Sequence, residues 1–434
     1  MKKLLFLLTV CLLVFGMAAC SSNDEKVNGS NGKKNGKTTV SFSYWGGDED
    51  TERMEAIKAE FEKEHSDIEV KLVLLPEGEE YDQKQTVMFS AGTPYDVIQF
   101  AEQSLAYASR GMLEDLTPYI EKDDDVDLSQ YYDVAIDAYT HNDKVYGMPL
   151  RVSSTIMLYN KDLFDKHDLE YPNEDWTWDD VTEAAKIITD PEEGVFGVSG
   201  QGGWWAGTAQ SLHSYGGSVL SEDKTEFNLD SPESLTAIEK MQELSWNLDV
   251  APTSTQVPEG VDLWISGKIG MQIDGPWWII SSQKNADFDW DITTAPAGTQ
   301  ESAPIFSNAF HMAKDSKNKD AAWEVISFWT GKTAQEILAK DHGDIPTMKE
   351  VAESDLFLDL DGKAPENFAI MLDGLETAFA PEVSLVWTEV NRVVDEGMAR
   401  IVDLNESIED VMPSMKAEIE ELLEEAEELK ESQE

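Results

Sequence analysis

Apolar and polar positions alternate over residues 39–45 and stop at Gly46-Gly47, which predicts a first strand. The acidic run 48–52 then opens a helix whose apolar positions Met54, Ile57 and Phe61 recur at helical spacing. Residues 68–75 read as a second strand, 81–90 as a helix and 96–100 as a third strand. This β-α-β-α-β alternation predicts an α/β fold with a mostly parallel sheet covered by helices. Ligands of such sheets sit beyond the carboxyl ends of the strands, where Tyr44, Trp45, Phe100, Glu102 and Gln103 lie.

Midway along the chain, Gly147 and Pro149 interrupt regular pairing, the run 155–159 reads as a buried strand, and Asn160 can cap a following helix. A flexible entry feeding a rigid strand suits a crossing between two lobes. The same local chemistry makes a β-hairpin inside one domain, and taken alone it favours the hairpin. Thr177 caps a helix over 181–189, residues 194–203 form a glycine-rich turn region before Trp204-Trp205, and 234–247 is a helix with Leu235, Ile238, Met241 and Leu244 on one face. A helix end at 263–266 turns through Gly267 into a short strand that stops at Gly275-Pro276, beside Trp277 and Trp278. Strand 305–312, helix 320–330 and a largely helical last third follow. Over 383–402 the stripe Val386, Val390, Val393, Gly397 and Ile401 faces inward, which places Trp387 about 100° off it, on the flank. A final amphipathic helix carries Ile408, Val411, Met415, Ile419 and Leu422, and 424–434 reads as a charged tail with no core to make.

The first residues stand outside this pattern. Lys2 and Lys3 precede an apolar run from Leu4 to Phe15, and small residues follow before Cys20, so an export signal over 1–19 is expected. Small residues directly before a cysteine resemble a lipobox, with Met17 in place of the usual Leu. That resemblance implies lipidation of Cys20, a tether over 20–37 and a place on the outer face of a bacterial cell membrane. The chain has two cysteines, Cys11 in the signal and Cys20, so no disulfide and no thiol redox or zinc chemistry is expected of the mature protein. A length of 434 residues is too great for one ordinary core and predicts more than one domain. The net charge of −53, from 86 acidic against 33 basic residues, excludes a nucleic-acid partner and disfavours polyanionic ligands. Spread over helix faces, it reads as a solvated surface.

Catalytic signatures are nearly absent. The six histidines show neither H-x-H nor H-x-x-x-H spacing, Gly197-Val198-Ser199-Gly200 is not a nucleophile elbow, and Gly200-Gln201-Gly202-Gly203 fails the dinucleotide pattern. Residues 48–52 begin like a calcium loop but lack its later Gly and closing Glu, so helix capping explains them and no metal or cofactor is expected. What remains is tryptophan beside Gly and Pro turns, mixed with carboxylates and amides. Sugars need flat aromatics for their C–H faces and Asp, Glu, Asn or Gln for their hydroxyls. A single large aromatic is more often packing than platform, but several at turns and helix flanks shift the balance toward a cleft.

Tyr146-Gly147-Met148-Pro149 with Tyr159-Asn160-Lys161-Asp162-Leu163-Phe164, then Trp176-Thr177-Trp178-Asp179-Asp180, then Gly267-Lys268-Ile269-Gly270-Met271 with Gly275-Pro276-Trp277 resemble the extracellular solute-binding proteins of ABC importers, and more narrowly their sugar-binding group of the maltose-binding type. The resemblance runs from about Val40 to Leu423. It implies a two-lobe periplasmic-binding-protein-like fold with a hinge, and raises that reading above the hairpin. Lobe 1 would take 38–148 and 308–345, and lobe 2 would take 149–307 and 346–424, leaving 425–434 as the tail. By the same resemblance Trp45, Asp48, Phe100 and Gln103 fall at first-lobe ligand contacts, Trp277 and Trp387 match stacking tryptophans, and Trp204 stands where the chain departs from the maltose-binding pattern. The expected protein is a monomeric, non-enzymatic binder of a mono- or oligosaccharide that serves ABC permease subunits. The alternatives are a binder of a non-sugar solute such as a peptide or polyamine, and a secreted carbohydrate-active enzyme with two carboxylates facing across the cleft.

Overall fold

Two separate sheets organise the chain. In a computed structural model, which describes residues 36–202, 205–375 and 378–431, the first sheet is built from β1 (Thr38–Tyr44), β2 (Ile68–Leu74), β3 (Val97–Phe100), β4 (Gly147–Ser154), β9 (Ala303–Met312), β10 (Ile345–Pro346) and β11 (Ala378–Phe379). Its order is β10-β4-β9-β3-β1-β2, with β11 on β9. The second sheet joins β5 (Ile156–Asn160), β6 (Phe196–Val198), β7 (Ile269–Asp274) and β8 (Trp290–Thr294) in the order β8-β5-β7-β6.

The expected β-α-β-α-β unit is present, with α1 (Asp48–Glu64) and α2 (Glu79–Ser90) linking strands that pair in parallel, Val40 opposite Val70 and Phe42 opposite Val97. The expectation of a mostly parallel sheet needs correction. The ten-residue β9 enters between β3 and β4 and runs antiparallel to both, and the second sheet is antiparallel at β8-β5 and β5-β7. A strand arriving from two hundred residues downstream leaves no trace in the local alternation that predicts parallel order.

The stretch 147–160 is not a hairpin. Gly147 and Pro149 lie inside β4 and pair with β9, while β5, one residue further on, pairs only within the second sheet. Gly147 is required there because a Cβ would lie 2.4 Å from the buried His311 ring. Asn160 caps the next helix as expected, its side chain accepting from Leu163 N at 3.1 Å. The chain returns directly from the second sheet to the first between β8 and β9. Strands β4 and β9 belong whole to the first sheet, so divisions at 148/149 and 307/308 would cut through both.

Core formation follows the apolar stripes. Phe42 and Phe61 pack against Trp329 of α8 (Lys319–Thr330), with ring centroids 5.6 and 5.4 Å from the indole. On the second sheet, α4 (Trp178–Ile188) buries Val181, Ala184, Ala185 and Ile188, and Thr177 and Asp180 close its capping box. Three local expectations change. The turn region 194–203 contains β6, residues 263–266 form turns and not a helix end, and the last helix, α11, runs Ile408–Glu431 with Leu423 and Ala426 buried. Among the described residues no helix is long and apolar enough to cross a membrane. Cys20 and the segment 1–35 lie outside the described residues.

Candidate functional site

The carboxyl ends of β1 and β3 carry an aromatic step. Trp45, half-buried, sets its ring edge-on to Tyr81 at 4.8 Å, and Tyr81 donates its hydroxyl to Gln99 O at 2.7 Å. Phe100 lies behind them at 0% exposure, stacked on Tyr107 at 4.4 Å and edge-on to His311 at 5.6 Å. Its ring is therefore packing. Gln103, half-buried, starts the short helix α3 (Ser104–Ser109), its amide oxygen accepting from Ala101 N at 3.0 Å and its nitrogen donating to Asp82 at 3.4 Å. Burial, reinforced by Glu102 and Glu389 and opposed by the Gln103 hydrogen bond, pushes the Asp82 carboxyl up to about 6. Burial also raises Glu102.

Opposite α3 stands α10 (Trp387–Met398). Trp387 is its first residue, only 2% exposed, packed among Leu385, Val386, Val390 and the apolar face of α5 (Trp205–Ser214); the flank position expected from spacing is thus buried. Leu105 of α3 packs against the same cluster, and Arg110 approaches Glu389 at 3.8 Å. One and two turns along from Trp387 come Asn391 and Asp395, joined by a 3.2 Å hydrogen bond. Burial pushes Asp395 up to about 7. Glu389 Oε2, Asn391 Oδ1, Asp395 Oδ1 and Gln201 Oε1 are shielded from solvent with no hydrogen-bond partner among the described residues. All four are acceptors. Such atoms are costly to bury unless something donates to them.

Trp277 sits elsewhere, half-buried after β7, just before α7 (Trp278–Asn285). Its indole folds over Gly275, where a Cβ would lie 2.0 Å from Trp277 Cη2, so glycine alone lets the ring take this pose. The neighbouring Trp278 donates to Asp274 at 2.8 Å. Helix α7 touches the first turn of α1 through a 2.7 Å Lys284–Glu49 ion pair. The structure thus brings Gln103 to the Trp387 helix and Trp45 to the Phe100 group, and places Trp277 on a separate element. Trp204 lies outside the described residues.

Asp48 is exposed at the start of α1, and Asp50 takes the inward position. Asp50 meets Arg53 at 2.8 Å and Arg151 at 3.1 Å, Arg151 also meets Asp344 at 2.9 Å, and Arg53 meets Asp341 at 2.7 Å. Burial works to raise the Asp50 carboxyl, and the Arg151 and Arg53 guanidiniums overcome it and hold it below the ordinary range. Trp45, Asp50, Arg151 and Asn308 surround a pocket of about 10 Å3, the size of one water. Sequence reasoning passed over Arg151, Glu389, Asn391 and Asp395. The available signals were an arginine within the apolar run 148–152 and the i, i+4, i+8 row behind Trp387. Among the described residues no group of three or more His, Cys, Asp or Glu is placed to share a metal ion.

Comparison with known proteins identifies the family and the fold. An ABC substrate-binding protein from Listeria monocytogenes, solved in complex with cycloalternan, superimposes with a TM-score of 0.83 at 29% identity, covering 89% of this chain and 98% of that one. A binding protein of Brucella abortus is 26% identical over 364 residues, 80% of this chain and 84% of its own. The arabinooligosaccharide-binding protein of Bacillus subtilis is 30% identical over 195 residues, 43% of this chain and 42% of its own. The fold is the two-lobed arrangement of periplasmic binding proteins. The family model described as bacterial extracellular solute-binding protein matches residues 46–336, and the chain belongs to that family.

Proposed function

We propose that the chain captures a neutral mono- or oligosaccharide between its lobes and passes it to the transmembrane subunits of an ABC importer, held at the outer face of the cell membrane by a lipid on Cys20. The observation that carries the reading is the surplus of partnerless acceptor oxygens on Glu389, Asn391 and Asp395, all on the helix that begins with the buried Trp387. Hydroxyl hydrogens of a sugar supply the missing donors, and an anionic ligand would meet Asp82, Glu102 and Glu389 instead. Trp45, Gln103 and Trp277 complete the contact set, with Phe100 supporting it from behind. Cycloalternan and arabinooligosaccharide in the relatives' names agree with a saccharide of more than one unit. No group here is assigned a catalytic role.

The lobes would divide at Thr155 and between β8 and β9, where the chain passes between the sheets, refining the division proposed from sequence. Ligand stabilises the closed form through its differential affinity for the two states. The carboxylate group favours one second reading, a cationic solute such as a polyamine. Purified protein incubated with neutral oligosaccharides, polyamines and short peptides separates these cases. A thermal shift with neutral sugars and no turnover supports the proposal, a shift with polyamine alone replaces it, and product formation points to an enzyme.

A further inference from the structure

Helix α7, which links β7 and β8 of the second sheet, is attached differently on two sides. Its inner side carries the buried Ile279 and Ser282, and the Trp264 indole, just ahead of β7, donates to Ser282 Oγ at 2.8 Å. Ile280 and Lys284, four residues apart on another side, reach elements of the first sheet instead. The half-buried Ile280 side chain lies against the Gly343 backbone and leaves no room there for a Cβ. Gly343 sits in the turn that leads into β10. Lys284 pairs with Glu49 of α1 at 2.7 Å. Gln283 donates to Ala364 O at 2.8 Å, in the segment before α9 (Ile370–Asp373).

Trp277, at the head of the helix and already helical in backbone, stands three residues before Ile280 and seven before Lys284. That spacing is one helical stripe, so the proposed sugar platform and the contacts to the first sheet are carried by one rigid piece. Charge adds a second reason to single out Lys284. Its hydrogen bond to Glu49, helped by the nearby charges of Glu49, Glu52 and Asp341, raises the amine above the ordinary lysine range. The chain's net charge of −53 opposes the approach of its two halves, and a lysine set against carboxylates of the other half offsets that repulsion where they meet.

We propose that α7 is a latch on lobe closure: Ile280 at Gly343 and Lys284 at Glu49 meet as the lobes close, hold the closed form of the sugar-free protein, and carry Trp277 to its place at the cleft. Ile280 and Lys284 are positioning residues, acting on affinity through the open-closed balance and not through contact with sugar. The contacts stand on the structure itself, whereas their role as a latch rests on the closure reading above.

Small-angle X-ray scattering of the purified sugar-free protein reads the balance as a radius of gyration. Lys284→Glu and Ile280→Ala should each enlarge it, and Ile280→Ala/Lys284→Glu should enlarge it further. Glu49→Lys/Lys284→Glu should recover part of the loss, and only part, because Glu52 and Asp341 remain beside the new carboxylate. At about 1 M salt, where the screening length is about 3 Å, the gap between parent and Lys284→Glu should shrink. Equal radii in the parent and Ile280→Ala/Lys284→Glu overturn the latch, and a smaller radius in the variant overturns it by assigning the contacts to the open form. Binding is then followed by stopped flow with the neutral oligosaccharide that gives the largest thermal shift in the panel above. Lys284→Glu should raise its dissociation rate about two- to fivefold with the association rate unchanged, because the pair forms after capture. A change confined to association overturns the positioning role. Failure of every sugar to bind refutes the proposed function and leaves scattering to decide the latch.

Discussion

Replacing Arg151 by Met keeps the aliphatic stem and removes the charge at the centre of the network joining α1, β4 and the 341–344 turn. The guanidinium is 14% exposed, and it faces Asp344 at 2.9 Å and Asp50 at 3.1 Å, whose side chains are 9% and 23% exposed. After substitution Asp50 retains Arg53, whereas Asp344 retains only the Ser153 hydroxyl among these partners. Stranding a buried charge costs about 3–5 kcal/mol, and the partial exposure of Asp50 together with the surviving Arg53 pair places the loss near about 3 kcal/mol. For a chain of this size, with an unfolding entropy near about 0.9 kcal/mol/K, that lowers the melting temperature by about 3–4 °C if unfolding is a single transition. Urea titration followed by tryptophan fluorescence measures it. Arg151→Met/Asp344→Asn should recover much of the loss, because the stranded charge is gone. Acid should narrow the gap between parent and Arg151→Met. The folded pKa of Asp50 is depressed, so its contribution is full above the unfolded value of about 4 and is lost as pH falls through the folded value. A single-variant loss under about 1 kcal/mol, or a double variant weaker than the single, would refute the argument that Arg151 holds two buried carboxylates.

Other outcomes follow from the site. Trp277→Ala should weaken sugar binding by about ten- to a hundredfold, equivalent to ~1–3 kcal/mol, with little change in the melting temperature of the ligand-free protein; a sharp fall in that temperature with affinity intact would make Trp277 a core residue. Gly275→Ala, which drives a methyl into the same indole, should reproduce the binding loss, and a variant with normal affinity would detach Trp277 from the ligand. Asp395, raised to about 7, binds its proton more tightly folded than unfolded, so the ligand-free protein should gain stability as pH drops from 8 to 5. Asp395→Asn should flatten that slope, and an unchanged slope in a thermal-melt series would show the carboxyl is ordinary. Cys20→Ser should release the protein from the membrane fraction into the medium, and retention there would end the anchor assignment.

Much was legible in the chain because it depends on neighbours in sequence. Alternation over 39–45, the Asn160 and Thr177 caps, the apolar stripes of α6 (Pro232–Trp246) and α8, and the aromatic residues beside Gly-Pro turns each follow from a few consecutive residues. What tertiary structure alone decided are contacts between residues far apart. Strand β9 came between β3 and β4 in the opposite sense, so the hairpin that local chemistry favoured at 147–160 became a passage between two sheets. Arg151 found Asp344, 193 residues away, and an arginine in an apolar run became the centre of an ion network. Phe100 and Trp387 went inward, because the helices that pack on them come from α3 and α5, which their own periodicity does not see. The chain's pattern determined which residues are apolar, acidic or flat; only packing, which buries a face according to what meets it, decided which of them line the cleft and which hold it up.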